Sequence, residues 1–240
     1  MAGGIDIPKG EELHSGKAKT VYDWDDDHVL VEFRDDITAF DAEKHDQIAG
    51  KGTVNCQISA KLFGVLTEHR IANHFVRLVS DNEMVCRKVD IVMLEVIVRN
   101  IAAGSLVKRY PFEQGMELPH PIVNMDLKSD SYHDPLVNTD IALALGIANL
   151  QEQREMREIG LRVNEVLAPY FDEMGLSLVD FKIEIGRFKG KLIVADEISP
   201  DTMRLWDKKT GKSLDKDVYR FDKGDVKETY QVIHGIIMGH

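Results

Sequence analysis

Apolar and polar residues alternate from Val179 to Ile185. Val179, Phe181, Ile183 and Ile185 point one way, and Asp180, Lys182 and Glu184 the other, the period of a strand with two unlike faces. The following run, Lys191 to Ile198, stays apolar until Asp196-Glu197, so the two segments read as a hairpin. A merely solvated hairpin would show polar alternation in both arms. The turn Phe188-Lys189-Gly190 suits a three-residue loop with glycine left-handed, which pairs Arg187 with Lys191 and Lys182 with Asp196. Asp180, Lys182, Glu184 and Asp196 then share one face. A two-residue loop, Lys189-Gly190, would send Asp196 to the other face. We take the odd loop. It sets carboxylates diagonally across neighbouring strands, near enough to share a hard divalent cation, with a lysine beside them. Directly after come Ser199-Pro200-Asp201-Thr202-Met203-Arg204, a basic loop rich in anion-binding groups.

The same patterning predicts the other elements. A glycine-led turn, His14 to Lys19, opens a hairpin with arms Thr20–Tyr22 and Val29–Phe33 joined across Asp25-Asp26-Asp27. Asp35 to Asp41 reads as an acidic loop carrying the Thr38 hydroxyl. Gly50-Lys51-Gly52 precedes an amphipathic helix from Val54 to His69, with Ile58, Leu62, Val65 and Leu66 at helical spacing. Strands follow at Met84–Lys88 and Ile91–Val98, the second apolar enough to lie centrally and be covered on both faces. A short helix follows Gly104 with Ser105 as its N-cap. Four prolines between Tyr110 and Pro135 predict loop, with a short strand at Ile122–Leu127. Helices cover Thr139–Leu145, Asn149–Met174 (kinked at Pro169) and Val226–Met238. No Gly/Ser-rich or Pro-rich linker divides the chain; any boundary between lobes falls near residues 88–95.

Composition narrows the function classes. The 240 residues allow one large domain or two small ones, and 43% hydrophobic with 30% charged residues is ordinary for a globular enzyme. A formal net charge of -11 argues against nucleic acid as the main partner but leaves room for a locally basic pocket. Cys56 and Cys86 have neither metal-ligand spacing nor histidines nearby, and read as buried, reduced thiols. MAGGIDIPKG lacks a signal-like apolar core, and no run is long enough to span a bilayer, so a cytoplasmic protein with no membrane partner is expected.

Several segments carry candidate chemistry. Gly16 with Lys17 and Lys19 can cover nucleotide phosphates, or be a surface turn; it is not a P-loop. Glu95 and Arg99 lie on one face of an apolar strand, as a structural ion pair or a pair held for a ligand. Ile91-Val92-Met93 offers a wall to a planar base. Arg99 and the helix start at Gly104-Ser105 suit a phosphate. His133-Asp134-Pro135 is a site loop or a turn.

Taken together and in this order, SGKAKTVY (15–22), FRDDITAFD (33–41), GKG (50–52), VRNIAAGSLVKR (98–109), HDP (133–135), LVDFKIEIG (178–186) and DEISPDTMRLWD (196–207) resemble the SAICAR synthetase family. The resemblance covers residues 13–238. It implies an α+β fold, with a small N-terminal antiparallel β lobe over residues 1–90 and a larger α/β lobe over 91–240 around a kinase-like ATP cleft. It implies an ATP-dependent ligase of purine biosynthesis that joins CAIR to L-aspartate through an acyl phosphate, with Mg2+, as a homodimer. By this likeness Gly16, Lys17, Ala18 and Lys19 lie over the ATP phosphates, and Lys88, Ile91 and Met93 line the nucleotide site. Glu184 and Asp196 match the metal ligands, and Arg99, Ser105 and Arg204 the groups holding the substrate phosphate. Asp180 and Lys182, at the imidazole and its carboxylate, are the catalytic candidates. Asp36, Asp41, Glu95, Lys128 and Asp134 are further candidates without defined roles. Thr38 stands where serine is common, Ala49 where proline is frequent, Cys56 where asparagine is usual, and Met93 where proline is often found. A non-catalytic nucleotide-binding module is the alternative, as is a small-molecule kinase, which the absence of HRD and DFG patterns disfavours.

Overall fold

The computed structural model describes residues 9–39 and 43–239. Its elements are β1 Glu12–Ser15, β2 Lys19–Asp25, β3 His28–Phe33, β4 Asp36–Ala39, β5 Lys44–Gln47, α1 Lys51–Glu68, β6 Phe75–Leu78, β7 Glu83–Arg87, β8 Asp90–Ile101, α2 Ser105–Arg109 and β9 Glu117–Leu127. There follow a 3-10 turn Asp130–Tyr132, then α3 Thr139–Ala144, α4 Leu150–Glu173, β10 Leu176–Phe188, β11 Lys191–Ala195, β12 Met203–Asp207, α5 Asp217–Arg220 and α6 Val226–Met238. Two antiparallel sheets carry the fold, ordered β1-β2-β3-β7-β6 and β11-β10-β8-β9, and β4-β5 form a separate hairpin. The mixed α+β architecture is as the sequence predicts. Among the described residues no helix is long and apolar enough to cross a membrane.

Helix α1 packs on the first sheet and on α6, while α4 packs across β10 and β8. Asn149 caps α4 in a capping box with Glu152, and the helix runs through Pro169 to Glu173. Val92, Leu94, Val96 and Val98 of β8 are buried, as are Val179, Phe181, Ile183 and Ile185 of β10. Cys56 and Cys86 are buried free thiols, and burial pushes Cys56 up to about 12.

Strand β10 organises the second sheet. One edge pairs with β8 along most of its length. The other edge is shared: β12 pairs with its first half and β11 with its second. The segment from Asp196 to Thr202 bridges the gap, where the Lys182 N–H donates to the Thr202 carbonyl at 2.7 Å.

The hairpin turn differs from the sequence expectation. Phe188 pairs with Lys191, so the loop has two residues, Lys189 and Gly190, at φ 48° and 79°. This is the tight turn whose twist matches that of its strands, at the cost of a left-handed lysine. In that register the regular pleat would turn Asp196 away from Glu184. However, β11 ends at Ala195 and Asp196 is left-handed, φ 63°, so it leaves the pleat. Its carboxylate comes round to the Glu184 side by a backbone turn rather than by strand pairing.

Other boundaries also moved. The acidic loop is the strand β4, paired with β5, and α1 begins at Lys51 rather than Val54. Met203–Asp207 is a strand rather than a basic loop. Gly104 is the N-cap of α2, so Ser105 is its first residue and makes no capping bond. Strand β9 is longer than predicted because it is an edge strand, which tolerates Pro119 and Pro121. Those prolines fall where pairing with β8 jumps from Arg99↔Ile122 to Ile101↔Glu117. Beyond them, the Val137 N–H donates to the Met125 carbonyl and the Leu127 N–H to the Pro135 carbonyl, both at 2.9 Å.

Candidate active site

Strand pairing sorts the polar face of the second sheet into rows. Asp180 on β10 pairs with Arg99 of β8 on one side and Arg204 of β12 on the other. Four residues on, Glu184 pairs with Glu95, which in turn pairs with Asp126 of β9. Lys182 lies between the rows. Paired residues share a face, so one surface carries an arginine row and a carboxylate row, separated by about 13 Å at strand rise. A cavity of about 1230 Å³ opens over this surface, closed on its far side by the glycine-led turn and the first sheet.

The arginine row is self-compensated. Asp180 accepts from Arg99 Nη1 at 3.0 Å and from Arg204 Nη1 at 2.8 and 3.0 Å. Arg99 Nη2 donates to Ser105 Oγ at 2.9 Å, so Ser105 reaches the site through Arg99. Arg204 Nε donates to Asp217 Oδ2 at 2.8 Å. Burial of Arg204 disfavours its charge, but Asp180 and Asp217 outweigh this and raise it. Arg99 Nε is buried with no partner, an unused donor beside two guanidiniums that Asp180 and Asp217 hold in place, and guanidinium donors suit an added oxyanion. Gly104 makes the geometry possible: at φ 57° and ψ -127° its peptide lies against Arg204, where a Cβ would come within 2.6 Å of the guanidinium.

The carboxylate row faces three lysines. Lys182 Nζ bonds Glu95 Oε1 at 2.6 Å and lies 3.8 Å from Glu184 Oε1. Lys128 Nζ bonds the same Glu184 oxygen at 2.5 Å, and Lys19 Nζ reaches Asp196 Oδ1 at 2.5 Å and Glu197 Oε1 at 2.7 Å. Burial works against Lys19 and Lys182, yet the surrounding carboxylates hold both well above lysine's ordinary range. Burial and the nearby Asp196 charge push Glu184 up. Burial opposes the Asp196 charge too, but Lys19 and Lys182 overcome it and hold Asp196 at about 2. Burial, reinforced by Glu95, pushes Asp126 up to about 6. Two hard carboxylates, here bonded by Lys19 and Lys128, fit the one or two protein carboxylates that a small dication uses when phosphate oxygens complete its shell. Among the described residues no group of three or more His, Cys, Asp or Glu is arranged to hold an ion by itself.

The other predicted residues are placed as follows. Gly16, Lys17, Ala18 and Lys19 line the cavity, with Lys17 Nζ on Asp130 Oδ1 at 2.7 Å. Lys88, Ile91 and Met93 line it too, and Lys88 Nζ also bonds Asp23 at 2.9 Å. Asp134 borders it and accepts from the Ser129 N–H at 2.8 Å. Glu95 and Arg99 do not pair with each other; each is tied to β10. Asp36 does not line the cavity: it is held by Arg34, His45 and Gln47 at the base of the β4–β5 hairpin. Asp41 lies outside the described residues.

Sequence reasoning missed Arg34, which clamps the glycine-led turn by donating to the Gly16 carbonyl at 2.6 Å and to Ser15 Oγ. It missed Glu197, overlooked beside Asp196. It missed His74, whose imidazole burial pushes down to about 4. Lys216 and Arg220 also line the cavity. Their signal was a basic pair four residues apart in the charged stretch that follows Asp207.

Comparison with known proteins places this arrangement. The model of the SAICAR synthetase family matches residues 12–235. The phosphoribosylaminoimidazole-succinocarboxamide synthase of Methanocaldococcus jannaschii is 57% identical over 229 residues, which are 95% of each chain. That of Methanosarcina mazei is 53% identical over 226 residues, 94% of this chain and 95% of the relative. A solved structure described as SAICAR synthetase (Type-2) in complex with ADP superposes with TM-score 0.93 at 49% identity, covering 95% of this chain and 98% of that one. A match of this length in sequence and in backbone is decisive: the chain belongs to the SAICAR synthetase family.

Proposed function

We propose that this chain is an ATP-dependent carbon–nitrogen ligase of purine biosynthesis that joins CAIR to L-aspartate, giving SAICAR, ADP and phosphate. Family membership and the activity named for its relatives support the overall reaction. One observation carries its assignment to this cavity: the arginine row and the carboxylate row lie on one strand face with Lys182 between them.

The substrate phosphate takes the arginine end, held by Arg99 and Arg204, with Ser105 orienting Arg99. The ring then extends past Asp180, and its carboxylate reaches Lys182. The nucleotide enters from the first sheet, with Lys17 and Lys19 over its phosphates at the Gly16-Ala18 turn, and with Lys88, Ile91 and Met93 along the nucleoside. On this reading residues 1–90 form the lobe that covers ATP and 91–240 the lobe that holds substrate. Glu184 and Asp196 would hold Mg2+, which, when bound, would neutralise charge on the phosphates. A carboxylate is a poor electrophile. Its oxygen therefore takes the γ-phosphoryl group and ADP leaves; the aspartate amine then attacks the acyl carbon, expels phosphate and loses a proton. Lys182 and Lys19 stabilise the charge that spreads during transfer. We further assign a cytoplasmic homodimer, with neither nucleic acid nor membrane as partner.

The test is to mix protein, Mg-ATP and CAIR with and without L-aspartate and to follow ADP and SAICAR. ADP and SAICAR appear in equal amounts, and only with all substrates present. ADP release independent of aspartate would point to a kinase, and no ADP under any condition to a binding module.

A further inference from the structure

Asp196 owes its place in the cavity to a backbone turn, and something must hold that turn. A left-handed conformation is one that L residues other than glycine adopt sparingly, although aspartate and asparagine tolerate it better than most. In the observed register a pleated Asp196 would lie opposite Ile183, whose side chain is fully buried in the core. Among the described residues the carbonyl of Asp196 has one side-chain partner: His74 Nε2, at 3.1 Å.

His74 is itself fixed from several directions. It is 5% exposed. Its ring meets Phe63 edge-on, with centroids 5.1 Å apart. Its N–H donates to the Val194 carbonyl at 2.9 Å, and its carbonyl accepts from the Arg87 N–H at 2.7 Å. The Val194 N–H returns to the Ala72 carbonyl at 3.0 Å. The segment around His74 is thus stitched to β7 of the first sheet and to β11 of the second. A carbonyl can only accept, so Nε2 carries the proton and donates.

We propose that His74 is a positioning residue for Asp196: its Nε2–H bond to the Asp196 carbonyl holds the left-handed turn that swings this carboxylate out of the core register and into the cavity beside Glu184. His74 borders the cavity, is 5% exposed, and acts on Asp196 through the Asp196 backbone. The same bond registers Asp196 against the first sheet, which carries Lys19, so the ammonium over the nucleotide and the carboxylate that meets it share one anchor. This rests on the assignment of Asp196 as a metal ligand.

The test uses ADP as probe, titrated by calorimetry with and without saturating Mg2+. His74→Phe keeps the ring's size and its contact with Phe63 but removes the donor. His74→Gln returns an N–H at comparable reach. Asp196→Asn serves as the reference for loss of the ligand itself. In the wild type Mg2+ is expected to strengthen ADP binding. We expect His74→Phe to lose about tenfold or more of that strengthening, the range seen when the hydrogen-bond partner of a metal ligand is removed. The readout is the ratio of affinities with and without Mg2+, so any direct effect of the substitution on ADP cancels, and His74→Gln recovers most of the loss. Should the phenylalanine variant not fold, His74→Asn, whose shorter amide stops short of the carbonyl, carries the same expectation. If Asp196→Asn loses the Mg2+ effect while the donor-less variant keeps it, the positioning role is wrong and the metal assignment stands. A glutamine variant as impaired as the phenylalanine one would equally overturn the role. If Asp196→Asn keeps the Mg2+ effect, the metal assignment fails and the positioning role with it.

Discussion

Lys51→Met removes one cation from the most enclosed charge cluster in the described structure. The Lys51 side chain has no exposed surface, and its Nζ lies 2.7 Å from Asp201 Oδ2 and 3.0 Å from the Asp36 carbonyl. Asp201 is almost as enclosed, at 6% side-chain exposure. It also accepts from the Tyr230 hydroxyl, and Lys216 Nζ stands 3.7 Å away. Burial alone would raise Asp201, but Lys51 and Lys216 hold it far below the usual carboxylate range, so it is charged at neutral pH. Methionine matches the length and bulk of the lysine stem, so the loss is electrostatic rather than a cavity. Removing one partner of a buried pair costs about 3–5 kcal/mol, because the other charge is left uncompensated. Lys216 remains close to Asp201, which sets the expectation at the low end, about 3 kcal/mol. For a chain of this length that lowers Tm by about 6–12 °C. Thermal and urea unfolding near pH 7 would measure it. Asp201→Asn strands both Lys51 and Lys216 and should cost at least as much. The double variant should cost clearly less than the sum of the two singles. A Lys51→Met protein within about 1 kcal/mol of the wild type, or strictly additive singles, would refute the view that Lys51 and Asp201 compensate each other in the buried cluster.

Two further predictions follow from the rows. Gly104→Ala puts a methyl group into the Arg204 guanidinium and strains a backbone that only glycine adopts freely, so CAIR affinity, measured by calorimetry, should fall about tenfold or more while ADP affinity is kept. Asp126→Asn should raise Tm at pH 8 and have much less effect at pH 4. The folded pKa of about 6 lies above the unfolded value near 3.9, so the penalty for ionising Asp126 grows as pH rises from about 4 to 6 and is full above that.

Much of the fold follows from local chemistry. The alternation over 179–185 sets the face of Asp180, Lys182 and Glu184 without further information, and those residues stand as predicted. Asn149 and Glu152 signal the start of α4 by their own side chains. What was illegible depended on distant partners. Asp196 reaches the cavity through its left-handed backbone, which the residue type permits but does not announce. Lys51 reads as a loop lysine, because Asp201, which buries it, lies 150 positions later. The strand at Met203–Asp207 is too short and too charged to show a period, and becomes a strand only because β10 leaves half an edge open. His74 carries no motif; its value comes from the segments it touches.

The edge formed by β9 also bears on how copies of this chain meet. An open sheet edge offers unpaired N–H and C=O groups to any passing strand, the usual route to runaway aggregation. Here Pro119 and Pro121 remove donors from one end of that edge, and residues 135–137 occupy main-chain groups of Met125 and Leu127 at the other. Extending this sheet across β9 into a second copy would first require peeling away residues 135–137. The adjoining 3-10 turn carries Asp130, the partner of Lys17. Contacts that keep this edge from recruiting other strands therefore adjoin contacts that shape the cavity, and a substitution chosen to improve solubility along β9 should be checked for its effect on nucleotide binding.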